Sequence, residues 1–202
     1  MIIFIIVLTG IVSVYAFQQP EIMYRYNFSP YQIVKRKQWY RMLSHALLHA
    51  DWMHLIVNML VLYSFAIPLR FFFNLFFSYI PASILILIFY ILAIGASSIV
   101  SLVKHKDNPN YNALGASGAV SAVVFACIFF APLEEILFFG VIPVPGILFG
   151  IGYLWYSWYM GKKNVDNVGH DAHFYGAIFG FIFPLILRPE LIHQFIYQLI
   201  NW

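Results

Sequence analysis

The chain has 202 residues, 62% of them hydrophobic, 20% aromatic and only 9% charged, against about 25% charged in an average soluble domain. This excludes an ordinary soluble globular protein, and a net charge of +3 with no long basic block argues against nucleic acid as a partner. Apolar runs of spanning or near-spanning length recur from end to end, which predicts an all-α polytopic membrane protein, a single domain over 1–202 with six transmembrane helices.

The first run, about 2–17, mimics a signal peptide, with Val14-Tyr15-Ala16 passing as a cleavage site. No Lys or Arg precedes it and it is long for a signal, so it reads as a retained span. The connection 18–52 carries Arg25, Lys35, Arg36, Lys37, Trp39 and Arg41, and is expected on the membrane surface with some helix of its own. Span two is expected at about 53–69, followed by a Phe-rich interfacial turn over 70–79, and span three at about 80–103, followed by a polar loop with Asp107, Asn108, Pro109 and Asn110. Span four, about 114–130, contains Cys127, the sole cysteine, which reads as a packed small hydrophobe. Pro143 and Pro145 break the chain before span five, about 146–160, whose Trp155, Tyr156, Trp158 and Tyr159 read as an interface belt. A polar loop, 162–170, leads to span six at about 172–187, and 190–202 reads as a short interfacial helix.

Parity of six spans puts the first turns of spans two, four and six at one membrane face. His54 and Asn58 open span two, Ser117 opens span four and His173 opens span six, while the other three spans carry almost no such residues. Polar groups at membrane depth are costly unless paired or hydrated, so this convergence predicts a water-filled cavity at that face. A serine becomes a nucleophile when a base takes its proton, and His173 is placed to be that base and later the acid for the leaving amine. Gly176, Ala177 and Gly180 leave a smooth face on span six, and Gly118, Ser121 and Ala122 do so on span four, which permits close approach in lipid. His54 and Asn58, spaced i, i+4, share a helix face and with the Ser117 backbone N–H form a candidate oxyanion hole. Asp171 projects from a different side of span six than His173, so a dyad is expected rather than a triad.

Taken together, six spans, Trp39-Tyr40-Arg41 in a long first loop, His45-Ala46-Leu47-Leu48-His49 followed by His54 and Asn58, Gly115-Ala116-Ser117-Gly118, and Ala172-His173 with Gly176 and Gly180 resemble the bacterial rhomboid intramembrane serine proteases. The resemblance covers most of the chain. It implies Ser117 as nucleophile, His173 as base, His54 and Asn58 as oxyanion donors, Gly115, Gly118, Gly176 and Gly180 in helix packing, and no metal or cofactor. It also implies single-pass transmembrane proteins as substrates, cut in or near the bilayer. There is one departure: many bacterial rhomboids carry an aromatic ring four positions after the serine, stacked on the imidazole, where this chain has Ser121. Phe125 and Phe174 are the candidates to replace it.

Other readings weigh less. Histidines 45 and 49, with His54, His170, Asp171 and His173, form a candidate metal cluster, but there is no His-Glu-x-x-His and no paired membrane aspartate; His45 and His49 are expected to brace the first loop, as are Trp39 and Arg41. A catalytically silent rhomboid-like protein that binds membrane helices is the main alternative, although such proteins lack the serine or the histidine. A transporter would need broken helices or buried ion pairs. Substrate entry is expected between spans two and five, with span five as gate and 162–170 as lid, hinged at Gly161 and Gly169. The charge rule conflicts with the resemblance over orientation. Nine of the 11 Lys and Arg residues lie on the active-site face, with only Arg70 and Arg188 opposite, which points that face to the cytoplasm. The resemblance instead implies a bacterial inner membrane with the site on the extracytoplasmic side.

Overall fold

The computed structural model describes residues 1–138, 140–163 and 168–201. Helix α1 (Ile2–Phe17) leads into a surface segment holding α2 (Pro20–Tyr26), α3 (Pro30–Lys35), α4 (Arg41–Ser44) and a 3-10 turn at His45–Leu47. Then come α5 (Trp52–Phe76), α6 (Ala82–His105), α7 (Ser117–Phe130), a hairpin of β1 (Glu135–Phe138) and β2 (Ile142–Pro145), α8 (Gly146–Lys163), α9 (His170–Leu187) and α10 (Leu191–Ile200). Helices α1, α5, α6, α7, α8 and α9 fall on the six expected apolar runs. Of these, α5, α6 and α9 are long and apolar enough to cross a membrane by length and composition.

Helix α7 is the centre of the bundle: every residue from Gly118 to Phe130 is buried. A helix that is apolar all round belongs inside, and this one is surrounded by α5, α6, α8 and α9. The outer helices turn large apolar side chains outward, such as Ile3 and Phe4 on α1, Met53 and Leu60 on α5, and Ile151 and Trp155 on α8. At 14 residues, α7 rises about 21 Å, roughly 9 Å short of a 30 Å hydrocarbon core. Enclosed in protein, it can be this short without exposing backbone to lipid. Its first residue is Ser117.

Two local expectations are corrected. Helix α5 does not stop at residue 69 for a turn over 70–79; it runs to Phe76 with Pro68 inside it. An interior proline costs about 3 kcal/mol. Beyond it Leu69 and Phe73 are fully buried, and Phe72 and Phe76 stack on Phe130 with centroids 5.0 and 5.3 Å away. At about 1.5–3 kcal/mol per buried apolar side chain, that cluster outweighs the proline. The break before α8 is more than a break: Ile136 pairs with Val144 and Leu137 with Pro143 in a two-stranded ribbon, whose edges tolerate proline. Backbone bonds from Gly146 to Glu134 O (2.9 Å) and Ile147 to Pro132 O (2.7 Å) then set where α8 begins.

The surface segment is braced as expected, with one division of labour. Arg41 is buried and its guanidinium donates to Tyr24 O (2.9 Å), Asn27 O (2.9 Å), Asn27 Oδ1 (2.8 Å) and Gln38 Oε1 (2.7 Å). Trp39 is 57% exposed and takes no part in that bracing, which leaves its ring to the surroundings, as an interfacial anchor requires. Phe28 and Ala113 exchange backbone hydrogen bonds of 2.8 and 2.9 Å, tying the segment to the stretch just ahead of α7.

Candidate active site

Three helix ends meet around one cavity of about 970 Å³. Asp51 caps α5 by accepting from the His54 N–H at 2.8 Å, which fixes the first turn carrying His54 and Asn58. Ser117 opens α7, and His173 lies in the first turn of α9, its N–H on Gly169 O at 3.1 Å. The His173 Nε2 is 2.7 Å from Ser117 Oγ. All four side chains line the cavity.

Glycine makes the approach possible. A Cβ at Gly176 would run into the backbone of Gly118, and one at Gly180 into the backbone of Ala122. The two contacts step by four residues on both helices, so α7 and α9 run parallel with backbones touching. A Cβ at Gly118 would in turn lie 2.6 Å from Ser97 Cβ and Oγ on α6. Gly115 has φ +119°, a conformation that disfavours any side chain, and a Cβ there would lie 2.7 Å from His54 Cε1 and 2.9 Å from Nε2. The His54 ring therefore rests on the turn that presents Ser117.

The hydrogen bonds fix a tautomer. The Ala50 N–H donates to His54 Nδ1 at 3.4 Å, so a neutral ring carries its proton on Nε2, the nitrogen facing the Gly115 turn. Asn58 is buried and donates one amide hydrogen to His54 O at 2.8 Å, which uses one of its two. The Ser117 N–H belongs to the first turn of α7, where backbone donors have no partner within the helix. Asp171 pairs with Lys104 at 2.9 Å.

Histidines 45 and 49 hold the surrounding scaffold. Ser98 Oγ donates to Ile94 O at 2.9 Å and meets His45 Nε2 at 3.2 Å. Ser13 Oγ donates to Leu47 O at 2.8 Å, so His49 Nδ1, 2.9 Å away, is the donor to it; His49 Nε2 is then free to accept from the Ala116 N–H at 3.5 Å, one residue before Ser117. Among the described residues, no three His, Cys, Asp or Glu side chains gather as metal ligands. Burial pushes His49 down to about 3, helped by neighbouring His54 and opposed by Asp51, and pushes His45 down to about 4 against a hydrogen bond to the Met42 backbone. A free histidine titrates near 6.5, so the detached loop binds more protons than the packed one at mildly acid pH. Loop packing is then fully stabilised above about pH 6.5 and weakens as pH falls through 6.5 towards 4, by up to about 1.4 kcal/mol per pH unit for each histidine. Hydrogen exchange of residues 41–50 at pH 7.5 and pH 5 is expected to show faster opening at pH 5; equal protection would refute the neutral-histidine brace.

Several sequence expectations need correction here. Spans one, three and five are not bare of polar groups: Thr9 and Ser13 on α1, and Ser97, Ser98 and Ser101 on α6, are buried, and Tyr153 on α8 lines the cavity together with those three α6 serines. The triplet Ser97, Ser98, Ser101 at helical spacing is a readable signal of a polar face; Tyr153 has none, set as it is among lipid-facing aromatics. The ring beside His173 is neither Phe125 nor Phe174. Two rings flank His173, His170 edge-on at 6.0 Å and Tyr153 inclined at 6.3 Å, while Phe125 backs Tyr153 at 5.6 Å and Phe174 pairs with Tyr175 at 5.3 Å. Gly161, expected as a hinge, lies inside α8, where a Cβ would stand 3.0 Å from Asp171 Oδ1. The central part of the expected lid, residues 164–167, lies outside the described residues.

A comparison with curated proteins gives no match. The family model for the rhomboid domain matches residues 36–190. That stretch takes in the braced end of the surface segment, α5 to α9, and the four side chains that converge on the cavity. It covers well over half of an all-α polytopic membrane protein, and on that ground the chain belongs to the rhomboid family.

Proposed function

We propose that the chain is an active intramembrane serine endopeptidase with a Ser117–His173 dyad. One observation carries the reading: a serine hydroxyl 2.7 Å from an imidazole nitrogen, at the first residue of a short, buried central helix. Ser117 Oγ attacks the scissile carbonyl carbon as His173 Nε2 takes its proton. The oxyanion of the tetrahedral intermediate receives hydrogen bonds from His54 Nε2–H, the Asn58 amide and the Ser117 backbone N–H, with the positive end of α7 behind them. His173 returns the proton to the departing amine, leaving an acyl-serine. Water, deprotonated by His173, then releases the new carboxylate and restores the hydroxyl. Ser and His suffice for this balance, so no cofactor enters it.

The substrate is a single-pass transmembrane protein arriving sideways from lipid. Val61 and Phe65 of α5 and Phe149 and Tyr153 of α8 flank one face of α7, and the space between α5 and α8 leads over that face to Ser117. The host membrane is a bacterial inner membrane with the cavity on the extracytoplasmic side; cysteines placed over 104–112 should then react with an impermeant maleimide in intact cells, and protection there would reverse the orientation.

The purified chain in detergent is expected to cleave a single-pass model substrate, at a site in or near its apolar segment. No cleavage, together with retained binding of the substrate helix, would leave a silent helix-binding rhomboid in its place. Asn58→Ala is expected to lower turnover by roughly 10–1,000-fold, the upper end being the cost of one oxyanion donor. The loss should fall on kcat, because the oxyanion exists only near the transition state. A change confined to KM would make Asn58 a substrate contact.

A further inference from the structure

A base must be held still to be useful. His173 reaches Ser117 with one nitrogen, at 2.7 Å, and misplacement by an ångström can cost on the order of 100-fold in rate. His170, on the same helix, meets the His173 ring edge-on at 6.0 Å; the ring that another helix supplies is Tyr153, inclined by 31° with centroids 6.3 Å apart, within the roughly 4.5–7 Å over which aromatic rings attract. The Tyr153 ring is itself clamped, stacked on Phe149 at 5.9 Å and tilted against Phe125 at 5.6 Å. Its hydroxyl lies 2.6 Å from Ser121 Oγ. The single hydroxyl proton of Ser121 goes to Ser117 O at 2.8 Å, so Tyr153 is the donor to Ser121.

These contacts close a circuit through three helices. It runs from the Ser117 carbonyl to Ser121 on α7, to Tyr153 on α8, to His173 on α9, and back to the Ser117 hydroxyl. Helix α8 is otherwise seated through Phe149 and Leu154, which pack on Val124, Phe125, Ile128 and Ala177, and through its buried Gly146, Gly150 and Ser157; a Cβ at Gly150 would stand 3.4 Å from Phe125. We propose that Tyr153 is a positioning residue for His173, supplied by α8, so that alignment of the Ser117–His173 pair depends on the seating of α8 against α7. The inference rests on the dyad reading above. It gives Ser121 a purpose as the anchor of a ring brought from another helix, and it makes a helix beside the entry path part of the catalytic alignment. A substrate that displaces α8 on entry draws Tyr153 from His173, and chemistry waits until α8 returns.

The test uses the full chain in detergent micelles and two readouts: covalent labelling of Ser117 by a small fluorophosphonate, and kcat and KM for a single-pass substrate. Tyr153→Ala is expected to slow labelling and kcat about tenfold or more while KM moves less than twofold. Tyr153→Phe keeps the ring and should lose only a few-fold; Ser121→Ala should match it, and the double variant Ser121→Ala/Tyr153→Phe should be no worse than either. Gly150→Leu, which props α8 off Phe125 with Tyr153 intact, should slow labelling as Tyr153→Ala does. Carrying a ring on α7 instead, in Ser121→Tyr/Tyr153→Ala, should restore it. Wild-type labelling by Tyr153→Ala, or by Tyr153→Leu if the alanine variant does not fold, overturns the positioning role. His173→Ala separates the two ideas: if it labels at the wild-type rate, the dyad itself is wrong, whereas its silence beside a fully active Tyr153→Leu sinks only the role of Tyr153.

Discussion

Ser117→Ala is expected to abolish cleavage, a fall of at least about 10⁴-fold in kcat, with the melting temperature unchanged. The substitution removes one hydroxyl from a half-buried side chain and leaves the backbone contacts of Gly118 and the start of α7 as they are. His173→Ala should be equally silent. The double variant should be no worse than either, because attack and proton transfer are one event and losing half of it loses all of it. Full additivity of the two losses in a detergent cleavage assay would show that Ser117 and His173 act in separate steps.

Gly176→Ala is expected to be nearly as damaging while removing nothing. The added methyl has to enter the backbone of Gly118, the residue next to Ser117, the proposed nucleophile, so α7 and α9 must separate where Ser117 and His173 meet. Overpacking of this kind costs about 1–3 kcal/mol of stability, and a shift of an ångström between the two helices costs on the order of 100-fold in turnover. Gly180→Ala, one turn deeper against Ala122, should lower the melting temperature similarly with a smaller loss of rate. Gly10→Ala and Gly152→Ala are the controls, since a Cβ at either position meets nothing within 4 Å. If Gly176→Ala cleaves and melts as the wild type does, the backbone contact is not what sets the Ser117–His173 distance.

The parts of the molecule governed by hydropathy were readable from the sequence: the six bundle helices, the surface segment and the final helix lie where apolar runs and loop composition put them. The convergence of His54, Asn58, Ser117 and His173 was readable as well, because helix parity alone sends alternate helix starts to one face. What escaped depends on partners distant in sequence. Pro68 and Arg70 look like the end of a helix until Phe130 is known to receive Phe72 and Phe76. The prolines of Ile142–Pro145 look like a break until β1 pairs with them. Tyr153 sits in a stretch whose other aromatics, Trp155, Tyr156 and Trp158, do face outward, at 62%, 49% and 47% exposure. Only the 2.6 Å bond to Ser121 distinguishes it, and no periodicity encodes that.

The length of α5 and α6 has a consequence for the lipid. Helix α5 has 25 residues and α6, packed against it, has 24. At 1.5 Å per residue these are about 38 and 36 Å long, both longer than a 30 Å hydrocarbon core. In a bilayer of that thickness the pair must lean or thicken the lipid beside it, at a fraction of a kcal/mol per ångström. Acyl-chain length then becomes a variable in its own right: in a series of lipids of increasing chain length, the lean of α5, which flanks the proposed entry path, should fall step by step.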